Sequence, residues 1–72
     1  MNLAPGAHDN RQVDYDVVVE NQTEQEGRYG IQINGGQETP TAIEAGKTIT
    51  TDCSGQITIW NRGTVVLQVT FN

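Results

Sequence analysis

The sequence predicts an all-β domain: a small antiparallel β-sandwich or roll of about six short strands, with no helix of note. Three observations lead there. Apolar, largely β-branched residues alternate with polar ones over residues 13–20 and 64–71, the pattern of half-exposed antiparallel strands. The strand candidates are spaced by roughly 8–12 residues or a little more, the spacing of sandwiches and small barrels. No segment repeats its apolar residues with a helical period.

Residues 1–12 (MNLAPGAHDNRQ) show no periodicity and contain Pro5-Gly6 and Asp9-Asn10. They read as a flexible N-terminal arm, with Leu3 available to dock on a sheet, and residues 13–72 read as a single β domain. In residues 13–20 (VDYDVVVE), Val13, Tyr15, Val17 and Val19 take the inward face, while Asp14, Asp16, Val18 and Glu20 face solvent. Residues 21–27 form a polar connection, and residues 28–34 return as a strand with Tyr29, Ile31 and Ile33 inward. Gly30 inside that strand signals a bulge or a close approach; opposite Tyr15 or Val17 it leaves room for a large neighbour.

Asn34-Gly35-Gly36 is a strong turn. Residues 41–44 form a short strand, and Ala45-Gly46 turns the chain into residues 47–51, with Glu44 and Lys47 placed for a cross-strand ion pair. Asp52-Cys53-Ser54-Gly55 makes the next turn. Residues 56–60 and 64–71 then read as a hairpin closed by a three-residue loop of Asn61, Arg62 and Gly63, with Gly63 in the left-handed conformation of a G1 bulge. That register pairs Ile59 with Val65 and Ile57 with Leu67. VVVENQTEQEGRYGIQIN and ITIWNRGTVVLQVTFN echo one another faintly, and the general grammar of hairpins accounts for the echo.

The chain has 72 residues and a net charge of −5, so it supports one small core. A core of that size gains from oligomerisation. Eight of the nine acidic side chains lie in the first 44 residues, against two of the four basic ones. Such a surface argues against nucleic acid, which is bound by neutralising phosphates with Lys and Arg. No apolar run reaches the length of a membrane span. The single Cys53 and the absence of a leader-like start make cytoplasm the default expectation, the alternative being a mature secreted chain whose leader has been removed.

Chemistry is sparsely supplied. His8 is the only histidine, Cys53 the only thiol and Lys47 the only lysine, and Asp52 beside Cys53 raises the thiol pKa rather than activating it. One His and one Cys fall short of a zinc site. Asp14 and Asp16 share a strand face but lack the further oxygens a hard cation needs. The reading is therefore non-enzymatic, with no cofactor and no metal.

Three binding readings follow. The first is an interaction or assembly module that binds a protein partner, or itself, through a β-face or a strand edge. Its contact residues are Trp60, Val66, Asn61, Arg62 and Val18, because Trp60 faces away from the apolar set of its own strand and interfaces favour Trp. Against this stands the plainer expectation that Trp60 is simply covered by another part of the chain. The second is a carbohydrate-binding, lectin-like module that stacks a sugar on Trp60, with Gln56, Asn61, Arg62 and Gln68 nearby. The third is an acidic decoy for a basic groove, built from Asp14, Asp16, Glu20, Glu24 and Glu26.

Overall fold

Valine and isoleucine at every second position give the longer strands one face to bury, and the chain buries those faces between two antiparallel sheets. The computed structural model describes residues 1–72. Eight strands follow in order: β1 (Asn2–Leu3), β2 (His8–Val13), β3 (Asp16–Glu20), β4 (Gly27–Ile33), β5 (Thr39–Ile43), β6 (Thr48–Asp52), β7 (Gly55–Asn61) and β8 (Leu67–Phe71). One sheet has the order β1-β8-β3-β6 and the other β2-β7-β4-β5. Successive strands mostly alternate between sheets, and the strand order is that of a jelly roll. Val17, Val19, Ile43, Ile57, Ile59 and Leu67 are fully buried between the layers. There is no helix, hence none long and apolar enough to cross a membrane.

The expected all-β sandwich is present, with eight strands rather than six. The extra two come from residues 1–12, which are not a flexible arm. β1 pairs with β8, and β2 forms a six-residue ladder along β7 from His8↔Trp60 to Val13↔Gly55. Leu3 is 2% exposed, in the docked position its apolar side chain allows. β2 escapes a pattern search because it is an edge strand held by backbone bonds, with Val13 its only buried side chain. The expected strand over residues 13–20 is likewise broken. The chain bends at Asp14 and Tyr15 to change sheets, which leaves Tyr15 75% exposed instead of inward. Ile33, at the end of β4, is also exposed, whereas Tyr29 and Ile31 point inward as their alternation requires.

The hairpin of residues 56–71 does not form. Ile57, Ile59, Leu67 and Val69 face the core, as their alternation requires, but β7 pairs with β2 and β4 while β8 pairs with β1 and β3. Alternation fixes which side of a strand is buried and carries no record of its neighbour. Gly63 has no left-handed φ; a Cβ there would lie 2.8 Å from the Arg28 backbone nitrogen. Its glycine serves a close approach, reinforced where Arg62 N–H donates to the Arg28 carbonyl at 3.0 Å. Gly30 makes room for a neighbour, but the residues opposite it are Trp60 and Pro40, not Tyr15 or Val17. The ion pairs are Arg11–Asp9, Arg28–Glu26 and Arg62–Glu38, so Glu44 and Lys47 do not pair. The turn at Asn34-Gly35 is as expected, with φ of 52° and 72°.

The faint echo in the sequence marks a repeat of structure. Positions forty apart play the same part in opposite sheets: Leu3 and Ile43, Val17 and Ile57, Val19 and Ile59, Tyr29 and Val69 are all buried. Gly6 and Gly46 both take left-handed φ in turns between strands. Between residues 1–32 and 41–72 only Gly6/Gly46 and Asn21/Asn61 are identical, which is why the repeat is nearly silent in sequence.

Candidate functional site

Two surfaces of the sandwich are chemically distinctive. The first is the outer face of the β2-β7-β4-β5 sheet. Register sets His8, Trp60, Gly30 and Pro40 in one row across its four strands, with Asn10, Thr58 and Gln32 in the next. Gly30 has no side chain, and a Cβ there would overlap the Glu38 carboxylate, which lies across the strand. Glu38 receives a forked pair of bonds from Arg62, Nε to Oε2 at 3.0 Å and Nη2 to Oε1 at 2.8 Å. The same guanidinium sits 5.1 Å from the Trp60 ring centre, and the His8 ring lies 6.5 Å away on the neighbouring strand. Arg62 holds the Glu38 carboxyl below its usual range, and Glu38 raises Arg62 in return. Sequence reading flagged Gly30 as a close approach but missed Glu38, the side chain that fills the space.

This face is internally engaged. Gln56 Nε2 donates to Asn10 Oδ1, Asn10 Nδ2 donates to Thr58 Oγ1, and Gln32 Nε2 donates to the Gly36 carbonyl. A shallow groove of about 380 Å³ beside Pro40 brings Arg28 and Arg62 together, but Glu26 and Glu38 already neutralise them.

The second surface is the outer face and free edge of the β1-β8-β3-β6 sheet. β6 ends the sheet and pairs only with β3. The flanking bonds, Asn21 N–H to the Lys47 carbonyl and Cys53 N–H to the Tyr15 carbonyl, set the phase of the ladder. Odd-numbered residues of β6 therefore bond to β3, and the backbone N–H and C=O of Thr48, Thr50 and Asp52 point outward along an unpaired edge. Those three residues are exposed, while Ile49 and Thr51 between them are half-buried. Beside them on β3 lie Asp16, Val18 and Glu20, facing Asp52, Thr50 and Thr48 respectively. Asp16 accepts a bond from Asn72 Nδ2 at 2.7 Å; Asp52 forms no ion pair. Burial raises the Cys53 thiol pKa, and Asp16 and Asp52 push it further the same way. The sequence-based direction for that thiol is the one found.

The contact residues expected from sequence do not form one surface. Trp60 and Val18 sit on the outer faces of different sheets. Trp60 is half-buried under Arg62, and Val66 is exposed in the crossing between β7 and β8. Asn61 is not available to a partner. It is 1% exposed, donates to the Leu3 and Val65 carbonyls at 2.9 and 2.8 Å, and accepts from Gly63 N–H at 3.0 Å. Its repeat mate Asn21 is equally buried and equally bonded. His8, placed by sequence in a mobile arm, is fixed in β2 beside Trp60. The acidic set divides along β3: Asp14 and Asp16 lie at its start, near Asp52, while Glu20, Glu24 and Glu26 lie at its end and in the crossing to β4.

No protein-family model matches the chain, and no curated protein does. Among solved structures, the cupin domain of Drosophila melanogaster CENP-C is similar, with a TM-score of 0.58 at 18% sequence identity. The likeness covers all of this chain and 57% of that one, so the chain spans little more than half the length of the domain it resembles. At that identity the likeness is one of fold: an all-β sandwich.

Proposed function

We propose that this domain is a non-enzymatic protein-interaction module that accepts an extended segment of a partner protein as an added strand on β6. The observation that carries this reading is the row of outward N–H and C=O groups at Thr48, Thr50 and Asp52. An antiparallel strand laid there satisfies all three residues and extends the sheet, the strand-addition mode of peptide recognition. The other edges are less receptive. β1 is two residues long, β5 contains Pro40, and β2 carries Asp9 and Arg11. β6 has no proline and no basic residue, and its threonines suit a pleated neighbour.

The Trp60 face supports the carbohydrate reading less well, because Arg62 covers the ring and the amides beside it bond to one another. The decoy reading shares Asp16 and Glu20 with the β6 surface, so its acidic residues enter here as part of a strand-binding face.

The test is a selection of displayed random peptides on the immobilised chain, with Thr50→Pro and Trp60→Ala as counter-targets. The Thr50 N–H points away from β3, so proline there removes an acceptor-seeking group without breaking the ladder. Peptides retained by Trp60→Ala and lost on Thr50→Pro support the edge. Peptides with the opposite behaviour overturn it in favour of the Trp60 face. A dimer that forms in sedimentation and vanishes in Thr50→Pro contradicts a foreign strand and gives the edge to a second copy.

A further inference from the structure

The β6 edge also specifies what kind of strand it takes. This inference rests on the edge reading above and adds the chemistry of the partner. We infer that the incoming strand is basic, with cations at two positions four residues apart, separated by a β-branched residue and flanking apolar ones.

The pattern follows from register. A partner paired antiparallel places three side chains on the outer face, opposite Asp52, Thr50 and Thr48. At one end Asp52 has Asp16 directly behind it on β3. At the other end Thr48 is short and exposed, and the carboxylate behind it belongs to Glu20. Asp52 is unpaired, and the ammonium of Lys47 is in no ion pair with Glu44 or any other acid. Carboxylates thus lie at both ends of the edge, four residues apart, strongest at Asp52 and Asp16. At the other end Glu20 also accepts from Gln22 Nε2 at 3.0 Å, and the Lys47 ammonium beside Thr48 weakens the field. A lysine or arginine opposite Asp52 meets a carboxylate across one strand spacing. A second opposite Thr48 reaches over a short side chain toward Glu20.

Between them the partner's central residue meets Thr50, with Val18 behind it and Thr70 beyond. That strip is β-branched and favours Thr or Val. The partner's two inward residues face half-buried Thr51 and Ile49, and Ile49 already rests against the core. They are apolar. The whole pattern reads cation, apolar, Thr or Val, apolar, cation.

Charge also decides between a foreign strand and a second copy. Two copies joined at β6 would bring both sets of Asp16, Asp52 and Glu20 onto one continuous face, on chains that each carry −5. Like charges gathered on one sheet face oppose that arrangement, and a basic strand relieves it.

The experiment titrates the ¹⁵N-labelled full chain with two synthetic peptides, Gly-Gly-Arg-Val-Thr-Val-Arg-Gly-Gly and its Glu-for-Arg counterpart, following amide shifts. The expected result is shifts centred on Thr48, Thr50 and Asp52, with the basic peptide bound about tenfold more tightly at low salt, as expected when two exposed charge pairs turn from attraction to repulsion. The preference shrinks with added salt, and Asp52→Lys reverses or abolishes it. If both peptides bind at β6 with equal affinity, the charge assignment is overturned and the edge reading stands. If neither peptide shifts β6, both fall. Shifts confined to Glu24 and Glu26 also overturn the inference, because they place the cation contact at the β3–β4 crossing.

Discussion

Asn21 and Asn61 make matching bonds at two equivalent crossings between the sheets, β3 to β4 and β7 to β8. Each donates to the carbonyl four residues on, Gln25 and Val65, and each accepts from the N–H two residues on, Thr23 and Gly63. Each also reaches across to the opposite repeat: Asn21 to the Ile43 carbonyl and Asn61 to that of Leu3. The return bonds match as well, since Gly46 N–H donates to the Asn21 carbonyl and Gly6 N–H to that of Asn61. No other side chain offers a donor and an acceptor at that length, which explains why these two positions agree where almost nothing else between the repeats does.

Asn61→Ala leaves the Leu3 and Val65 carbonyls and the Gly63 N–H unpaired inside the protein. It should cost about 2–3 kcal/mol in urea unfolding, a large share of the roughly 4–10 kcal/mol typical of a chain this long. Asn21→Ala should cost a similar amount. A loss below about 0.5 kcal/mol at both sites would show that the corners are held by something else.

Tyr29 presents the opposite case. Its ring is buried, yet its hydroxyl has no partner at hydrogen-bonding geometry, although the Thr41 and Thr51 hydroxyls flank it. Tyr29→Phe should therefore stabilise the fold by about 1 kcal/mol. Burial raises the phenol pKa above its ordinary value of 10.0. A raised pKa gives stability that is present below pH 10 and lost as pH climbs through the folded value. Denaturant midpoints should fall across pH 10 in the natural chain and fall less in Tyr29→Phe, where the raised Cys53 thiol still acts in the same direction.

The Arg62–Glu38 pair gives the reverse dependence at acid pH. The folded pKa of Glu38 lies below its ordinary 4.5, so the pair's contribution is present above that value and lost as pH falls through the folded one. Glu38→Gln should remove this part of the acid sensitivity. Gly30→Ala should displace the carboxylate, return the Glu38 pKa toward 4.5 in an NMR titration and release Arg62 from the indole, which Trp60 fluorescence will register. An unchanged Glu38 titration in Gly30→Ala would contradict the placement of that carboxylate over Gly30.

Much of the fold was legible where side chains report their surroundings. Val17, Val19, Ile57, Ile59, Leu67 and Val69 turn inward as their alternation requires, and the turns at Asn34-Gly35 and Ala45-Gly46 stand where glycine places them. The rest was hidden for a physical reason. Strand pairing in a jelly roll joins segments far apart in the chain, and nothing in residues 56–71 distinguishes a hairpin from a crossing between sheets. The site was hidden likewise. Val18, Asp16 and Glu20 read correctly as an outward row, but the strand beside them, and the openness of its far edge, follow from topology alone.

Proline substitutions separate the two sides of β6. Thr51 N–H lies on the β3 side, so Thr51→Pro breaks the ladder and strands the Val17 carbonyl. It should be less stable than Thr50→Pro by about 1–3 kcal/mol in urea unfolding. Equal losses would contradict the alternation of inward and outward groups along this strand.

Amide hydrogen exchange of the chain in dilute solution tests the free edge most directly. The N–H groups of Ile49, Thr51 and Cys53 should be protected, while those of Thr48, Thr50 and Asp52, interleaved with them, exchange near the rate of an unstructured chain. Uniform protection from Thr48 to Cys53 would mean that β6 is already covered and has no vacancy for another strand.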